Sequence, residues 1–357
     1  MTGPPADEPA VIHPDDQQER DDDADSTYGA ASIASDSTSL SSSILRHRME
    51  NGRRYHAYKE GKYVLPNDED ESLRLELQHH MFTLTYDGQL YVCPAARDKP
   101  VSRVLDCGTG TGAWAIDFAD ENPESAVIGV DLSPTQPAFV PPNVNFYVDD
   151  LEEDWVYSSK FDFIHVRMLT GSIANWPRLF QQSFDNLEPG GWLEVSDITF
   201  PIQCDDDTFP EKSDLNKWSD LMLESSRNLQ RPLDSAYSYK KQLEEAGFVN
   251  VVEKRFKWPH NHWPKHRKYK ELGTWACENI AGGASGLSMA LFTRGLGWTA
   301  QEVEVFLTGV RKDMKNVHMH TYYYIITVYG QKPEDAGTSP TVGSPVSPPG
   351  TQPTEES

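Results

Sequence analysis

The chain has 357 residues, a formal net charge of −23 and a mean hydropathy of −0.60, enough length for one large α/β domain or two smaller ones. So acidic a balance argues against a nucleic-acid surface, which needs clustered Lys and Arg to neutralise phosphates. No apolar run approaches the ~20 residues of a membrane-spanning helix. Cys93, Cys107, Cys204 and Cys277 are too scattered for a disulfide frame or a zinc site, and with no secretory leader a reducing compartment, nuclear or cytoplasmic, is expected.

Residues 1–45 hold ten acidic side chains against Arg20 alone, with a serine cluster from Ser26 to Ser43. Such a segment buries too little apolar surface to offset its ordering entropy, so a disordered tail is expected. Patterned sequence occupies residues 46–333. Leu73 to Met81 has helical spacing at Leu73, Leu77, His80 and Met81. Val101, Val104 and Leu105 read as a short buried strand and Ala113 to Ala119 as the start of a helix, so Gly108, Gly110 and Gly112 fall in a strand-to-helix turn. Further short strands are predicted at Ala126 to Val130, Val144 to Val148, Phe161 to Arg167 and Trp192 to Asp197. A helix over Trp176 to Leu187 and a Glu188-Pro-Gly-Gly191 break precede the last of these. Alternating strands and helices imply right-handed crossovers and a parallel sheet, with the ligand at the carboxyl ends of the strands.

Beyond the alternating region, Asp214 to Asn228 and Tyr237 to Ala246 read as amphipathic helices, the second closed by Gly247. Phe248 to Phe256 and Thr321 to Tyr329 are rich in β-branched and aromatic residues and are expected to complete the sheet as an antiparallel edge. Between them a helical insertion, about residues 258–318, carries Trp258, Trp263, Trp275 and Trp298. These suit ordinary core, with a roof over a substrate pocket as the alternative. The Lys265-His-Arg-Lys-Tyr-Lys270 run fits a solvated turn or helix start better than a nuclear signal. Histidine pairs at 79/80, 260/262 and 318/320 lack helical metal-ligand spacing, so no metal is expected. Residues 334–357 form a second expected disordered tail, rich in Pro, Ser and Thr. Its Ser-Pro steps at Ser339, Ser344 and Ser347 suit a solvated spacer more than phosphorylation sites.

Charge selects the cofactor. Gly108, Gly110 and Ala113 also satisfy the G-x-G-x-x-G/A pattern of dinucleotide enzymes. A pyrophosphate at the helix start wants backbone N–H groups and no anion nearby, and Asp106 stands at the mouth of the turn. S-adenosylmethionine (SAM) carries a sulfonium and an ammonium, which a carboxylate pairs with. Asp131, roughly twenty residues after the turn, is placed to accept from ribose hydroxyls. Asp150, with Leu151 beside it, stands where an adenine amino group could be met.

At this point the chain resembles the class I SAM-dependent methyltransferases, through the D-x-G-x-G-x-G loop (Asp106, Gly108, Gly110, Gly112), the ribose acid Asp131 and the L-x-P-G-G turn (Leu187, Pro189, Gly190, Gly191). Within them it is similar to the fungal LaeA-like group, on Tyr55 to Tyr63, Pro66 to Glu69, Gln78-His-His-Met81, Asp131 to Pro134, Pro141 to Asn143, Gly171 to Pro177 and Cys204-Asp-Asp206. The resemblance covers about Tyr55 to Pro333. It implies an α/β, Rossmann-like seven-stranded sheet with helices on both faces and a reversed last hairpin, with SAM as donor. It also implies a link to secondary metabolism, sometimes through velvet-type partners in the nucleus, and a leading helix, here Leu73 to Met81, packed over the cofactor, with a helix that merely caps the sheet as the alternative.

Methyl transfer from a sulfonium is an in-line displacement, so the protein mainly positions the reactants and supplies a base where the acceptor arrives protonated. In this fold residues after the fourth strand face the methyl group, which makes His165, Arg167 and Met168 the candidates: His165 as general base or satisfied core histidine, Arg167 as anchor for an acidic acceptor. The Asn-Pro-Pro-aromatic motif of base or glutamine methylation and a Pro-Cys nucleophile pair are both missing. Three functions are compatible with these residues: methylation of a small metabolite or a protein substrate, a nuclear velvet-type interaction protein whose catalysis is secondary, or an NAD-dependent dehydrogenase. Direct nucleic-acid binding and membrane association are not expected.

Overall fold

The computed structural model describes residues 11–15, 47–56, 59, 62, 64–97 and 99–334. Most of both expected tails, together with Tyr58 and Tyr63 of the family-like stretch, lies outside the described residues. Val11 to Asp15 does not match the expected disorder. Ile12 is buried, Pro14 bridges Pro264, and Asp15 pairs with Lys270. The basic run supplies that contact and opens a helix, one of the two roles its sequence suits.

A hairpin of β1 (His47–Glu50) and β2 (Arg53–His56) turns on Asn51-Gly52, both in the left-handed region that a tight two-residue turn demands. Helix α1 (Glu69–Thr85) starts at Asp68, whose carboxylate accepts from the Glu71 N–H, and three acidic residues in its first turn complement the helix dipole. Its inward face is Glu71, Arg74, Gln78, Met81, Phe82 and Thr85, whereas Leu73 is 64% exposed. Of the four residues that apolar spacing selects, only Met81 is buried on that face. The helix covers the glycine loop and a cavity, and polar side chains point there.

Strands β3 (Arg103–Cys107), β4 (Ala126–Asp131), β5 (Val144–Val148), β6 (Phe161–Arg167), β7 (Leu187–Cys204), β8 (Val249–Pro259) and β9 (Thr321–Gln331) form one sheet in the order β5-β4-β3-β6-β7-β9-β8. The first five run parallel, and β9 is antiparallel to both β7 and β8, the reversed hairpin expected. The Glu188-Pro-Gly-Gly191 segment, expected as a break, belongs to β7. Leu187 pairs with Phe161, the register then shifts, and the Gly190 N–H donates to the Lys332 carbonyl.

Helices α2 (Ala113–Glu121), α3 (Trp176–Asn186), α4 (Asp214–Asn228) and α5 (Tyr239–Glu245) fall close to the predicted spans. Trp114 and Phe118 of α2 pack one sheet face over Val104 and Phe163. Leu179 and Phe180 of α3, with Leu243 of α5, pack the other over Ile164 and Val166.

The insertion contains α6 (Arg267–Cys277), α7 (Gly283–Ala290) and α8 (Ala300–Met314), with π-helical turns at Glu278–Gly282 and Leu291–Gly295 on either side of α7. It joins α1 and α4 in a third apolar cluster. Trp258 is fully buried and its indole N–H donates to Thr85 Oγ1 at 2.7 Å, tying α1 to the sheet.

Candidate functional site

The carboxyl ends of β3, β4 and β6 converge beside the glycine loop. At Gly108 (φ +69°) a Cβ would stand 2.4 Å from Leu169 Cδ2, and at Gly112 (φ +85°) 2.5 Å from Phe146 Cζ. Only glycine fits either place. The Gly110 N–H donates to Asp131 Oδ2 at 2.9 Å and the Ser133 N–H to Oδ1 at 2.9 Å, so the β4 carboxylate braces the loop; burial raises its pKa above the ordinary value.

Register pairs Asp106 with His165 across β3 and β6. Asp106 is 3% exposed; its Oδ2 accepts from Thr109 Oγ1 at 2.6 Å and its Oδ1 lies 2.7 Å from His165 Nδ1. Burial pushes His165 down to about 4, against the opposite pull of Asp106. The ring is therefore neutral at physiological pH, with its proton on Nδ1 facing the carboxylate. It stacks on Trp114 with centroids 3.7 Å apart and planes within 6°, and its Nε2 is buried without a partner among the described residues. Asp150 accepts from Lys62 Nζ at 2.5 Å; burial raises its pKa, but Lys62 and the Glu152 N–H more than offset this and hold it below the ordinary value.

Three cavities run end to end across these residues. The first, about 460 Å³, lies between Lys62, Asp131, Asp150, Leu151 and Ile173. The second, about 610 Å³, is walled by Asp106, the glycine loop, Trp114, His165, Arg167 and His79. It meets the first at Gly108, Asp131 and Leu169. The third, about 750 Å³, is largely apolar, walled by Phe200, Trp218, Met222, Ile280, Leu287 and Leu291, and it meets the second at Leu75, Gln78 and Met168.

The structure thus brings Asp106, Gly108, Gly110, Asp131, His165 and Arg167 to the middle cavity and Asp150 with Leu151 to the first. Gly112 lines none of the three and serves the turn by admitting Phe146. His165 and Arg167 do not reach the apolar cavity, where an acceptor would lie; Met168 does. The insertion does roof that cavity, but with Ile280, Leu287 and Leu291. Its four tryptophans are not among the lining residues, and Trp258 and Trp263 are core. Sequence reasoning missed Lys62, Leu75, Gln78, His79, Thr109 and Trp114. The available signal was a run of polar residues on the inward face of α1.

A parallel sheet with a reversed last hairpin, an acid and glycine loop at its centre and a second acid on the next strand define a class I SAM-dependent methyltransferase. The family described as "Methyltransferase domain" matches residues 77–253. The chain is 40% identical to "Methyltransferase pytC" of Aspergillus terreus, over 85% of this chain and 94% of that protein. It is 35% identical to "Secondary metabolism regulator LAE1" of Cochliobolus heterostrophus, over 80% and 95%. It is 32% identical to "Protein-methionine methyltransferase laeA" of Emericella nidulans, over 80% and 76%. The chain belongs to the family of SAM-dependent methyltransferases that includes these fungal proteins.

Proposed function

We propose that the chain methylates a largely apolar, uncharged small molecule of fungal secondary metabolism, bound in the third cavity. The shared wall of Leu75, Gln78 and Met168 carries this reading, because it joins an apolar chamber to the one beside the glycine loop. The residues suit SAM: Gly108 and Gly110 bring bare backbone to the wall of the middle cavity, Asp131 and Asp150 stand in succession along the first two cavities, and Asp106 favours a cation. Bound SAM supplies an electrophilic methyl group. Asp106 and His165 form part of the wall of the middle cavity, Asp131 would hold the ribose hydroxyls, Asp150 and Leu151 would hold the base, and the apolar wall would exclude water. Incubation with labelled SAM and an organic extract of fungal culture should move label into an apolar small molecule. Label recovered only on protein would overturn this reading.

A second reading has one observation in its favour. Among the described residues the third cavity holds one charged side chain, Arg74, which is tied to Glu71 at 2.6 and 2.8 Å and to Asn279 at 3.2 Å. A wall without a free base suits an acceptor that needs no deprotonation, such as the thioether of a protein methionine. Mass spectrometry of the protein fraction from the same incubation tests it. The resemblance to the LaeA-like group extends the proposal to a nuclear role with a velvet-type partner, and a nuclear-extract pulldown that recovers none removes that extension.

A further inference from the structure

Arg167 closes β6 and, among the described residues, is the one arginine on the wall of the middle cavity. Its guanidinium lies 4.7 Å over the Phe82 ring, and Nη2 donates to His79 Nδ1 at 2.9 Å. No carboxylate among the described residues pairs with it, whereas Arg53, Arg74, Arg231 and Arg294 each hold an aspartate or glutamate. An arginine only donates, so His79 Nδ1 must accept, and the proton sits on Nε2, 2.8 Å from Asp117 Oδ2. Phe82 and the His79–Asp117 pair therefore form a mount: one nitrogen is fixed and the other N–H groups stay uncommitted.

A partly desolvated guanidinium without an anion is costly, and a ligand carboxylate relieves that cost with charge-assisted, often bidentate hydrogen bonds. The same cavity holds the buried carboxylate of Asp106 and the unpartnered Nε2 of His165. Among the described residues its wall thus carries the carboxylates of Asp106 and Asp131 and one arginine that no carboxylate pairs with, opposite charges that complement the two ends of a free amino acid. The apolar cavity does not include Arg167, so an acidic acceptor is not what the guanidinium faces.

We propose that Arg167 is the anchor for the α-carboxylate of the methyl donor, and that this contact makes the site select sulfonium or thioether nucleosides that keep their carboxylate. The proposal rests on the cofactor reading above. It assigns Phe82, His79 and Asp117 as positioning residues that act through Arg167.

Calorimetry on the full chain tests it with three probes: S-adenosylhomocysteine, its decarboxylated counterpart, and methylthioadenosine. Wild type should favour S-adenosylhomocysteine over the decarboxylated probe by roughly tenfold to a hundredfold, the worth of a hydrogen bond to a charged group. Arg167→Met should erase that preference while holding the decarboxylated probe and methylthioadenosine to within about threefold of wild type, and Arg167→Lys should restore part of it. Equal wild-type affinity for the acid and its decarboxylated form overturns the anchor without recourse to any variant. So does an Arg167→Met protein that keeps the wild-type ratio. Failure of all three probes to bind wild type would instead remove the cofactor reading, and the anchor with it.

Discussion

The middle cavity and its apolar neighbour share three side chains yet are assembled in opposite ways. The first is drawn mostly from one continuous stretch, Asp106 to Leu169, and fixes its groups by backbone: three glycines at positive φ, carboxylates on strand ends, and a histidine brought beside Asp106 by strand register. The second gathers residues from Val64 to Leu291, on loops, strand β7 and several helical segments, and fixes them mainly by packing, with Arg74 held to Glu71 and Asn279 and Trp218 to Ser288. A chamber held by local backbone geometry resists substitution at each point. One held by packing tolerates change and can take new shapes.

The sharpest break of this contrast is Asp106→Lys. It sets an ammonium against Thr109 and His165 in a buried site and leaves no anion for the donor. Loss of SAM affinity of about 3–5 kcal/mol is expected, on the scale of breaking one side of a buried charge pair, measured by calorimetry with unfolding curves alongside. Retained SAM affinity would mean that the loop carboxylate does not set the charge of the cavity.

The two halves also answer pH with opposite sign. His165 titrates near 4 in the folded chain against an ordinary 6.5, so its contribution is complete above the ordinary value and is lost as pH falls through about 4. Asp197 lies behind the apolar cavity and accepts from Tyr239 Oη at 2.6 Å and from the Thr170 N–H at 2.9 Å. Burial pushes it up to about 7 from 3.8, so its contribution is complete at acid pH and is lost as pH rises through about 7. Each shift is worth about 3–4 kcal/mol. Unfolding midpoints across this range should lose part of their acid-side fall in His165→Asn, because His260, pushed down to about 3 by burial, adds a contribution of the same sign. They should lose part of their rise-of-pH fall in Asp197→Asn, because Glu194, also pushed up to about 7, adds a contribution of the same sign.

The smallest expected effect sharpens the comparison from the apolar side. Leu287→Ala trims a half-buried wall residue, costs about 1 kcal/mol of stability, and leaves SAM affinity within about twofold while widening the range of acceptors taken. A large drop in SAM affinity would show that the chambers are mechanically one.

The same division governs what could be read from the chain. Strand spans at Val144–Val148 and Phe161–Arg167 and the helix at Asp214–Asn228 were legible to the residue, because apolar period and turn residues are local signals. The acid and glycine loop was legible because positive φ restricts residue choice. The inward face of α1 was not: Glu71, Arg74 and Gln78 turn inward to meet one another, Asn279 and a cavity, and periodicity scores polar residues as surface. Arg167 reads as an acceptor anchor in the sequence because alternation alone does not say which chamber the end of a strand enters. The tryptophans of the insertion suit core, as Trp258 and Trp263 are, but aromatic composition alone does not separate core from pocket lining and gives no sign of the roof made by Ile280, Leu287 and Leu291.

The π-helical turns on either side of α7 have a consequence for diversification. Ile280 sits in one and Leu291 in the other, with Leu287 on the helix between them. Such a turn arises from one extra residue in an α-helix, and a step of one residue rotates the helix beyond it by about 100°. Deleting a single codon there would swing a different trio of side chains into the chamber with every strand untouched.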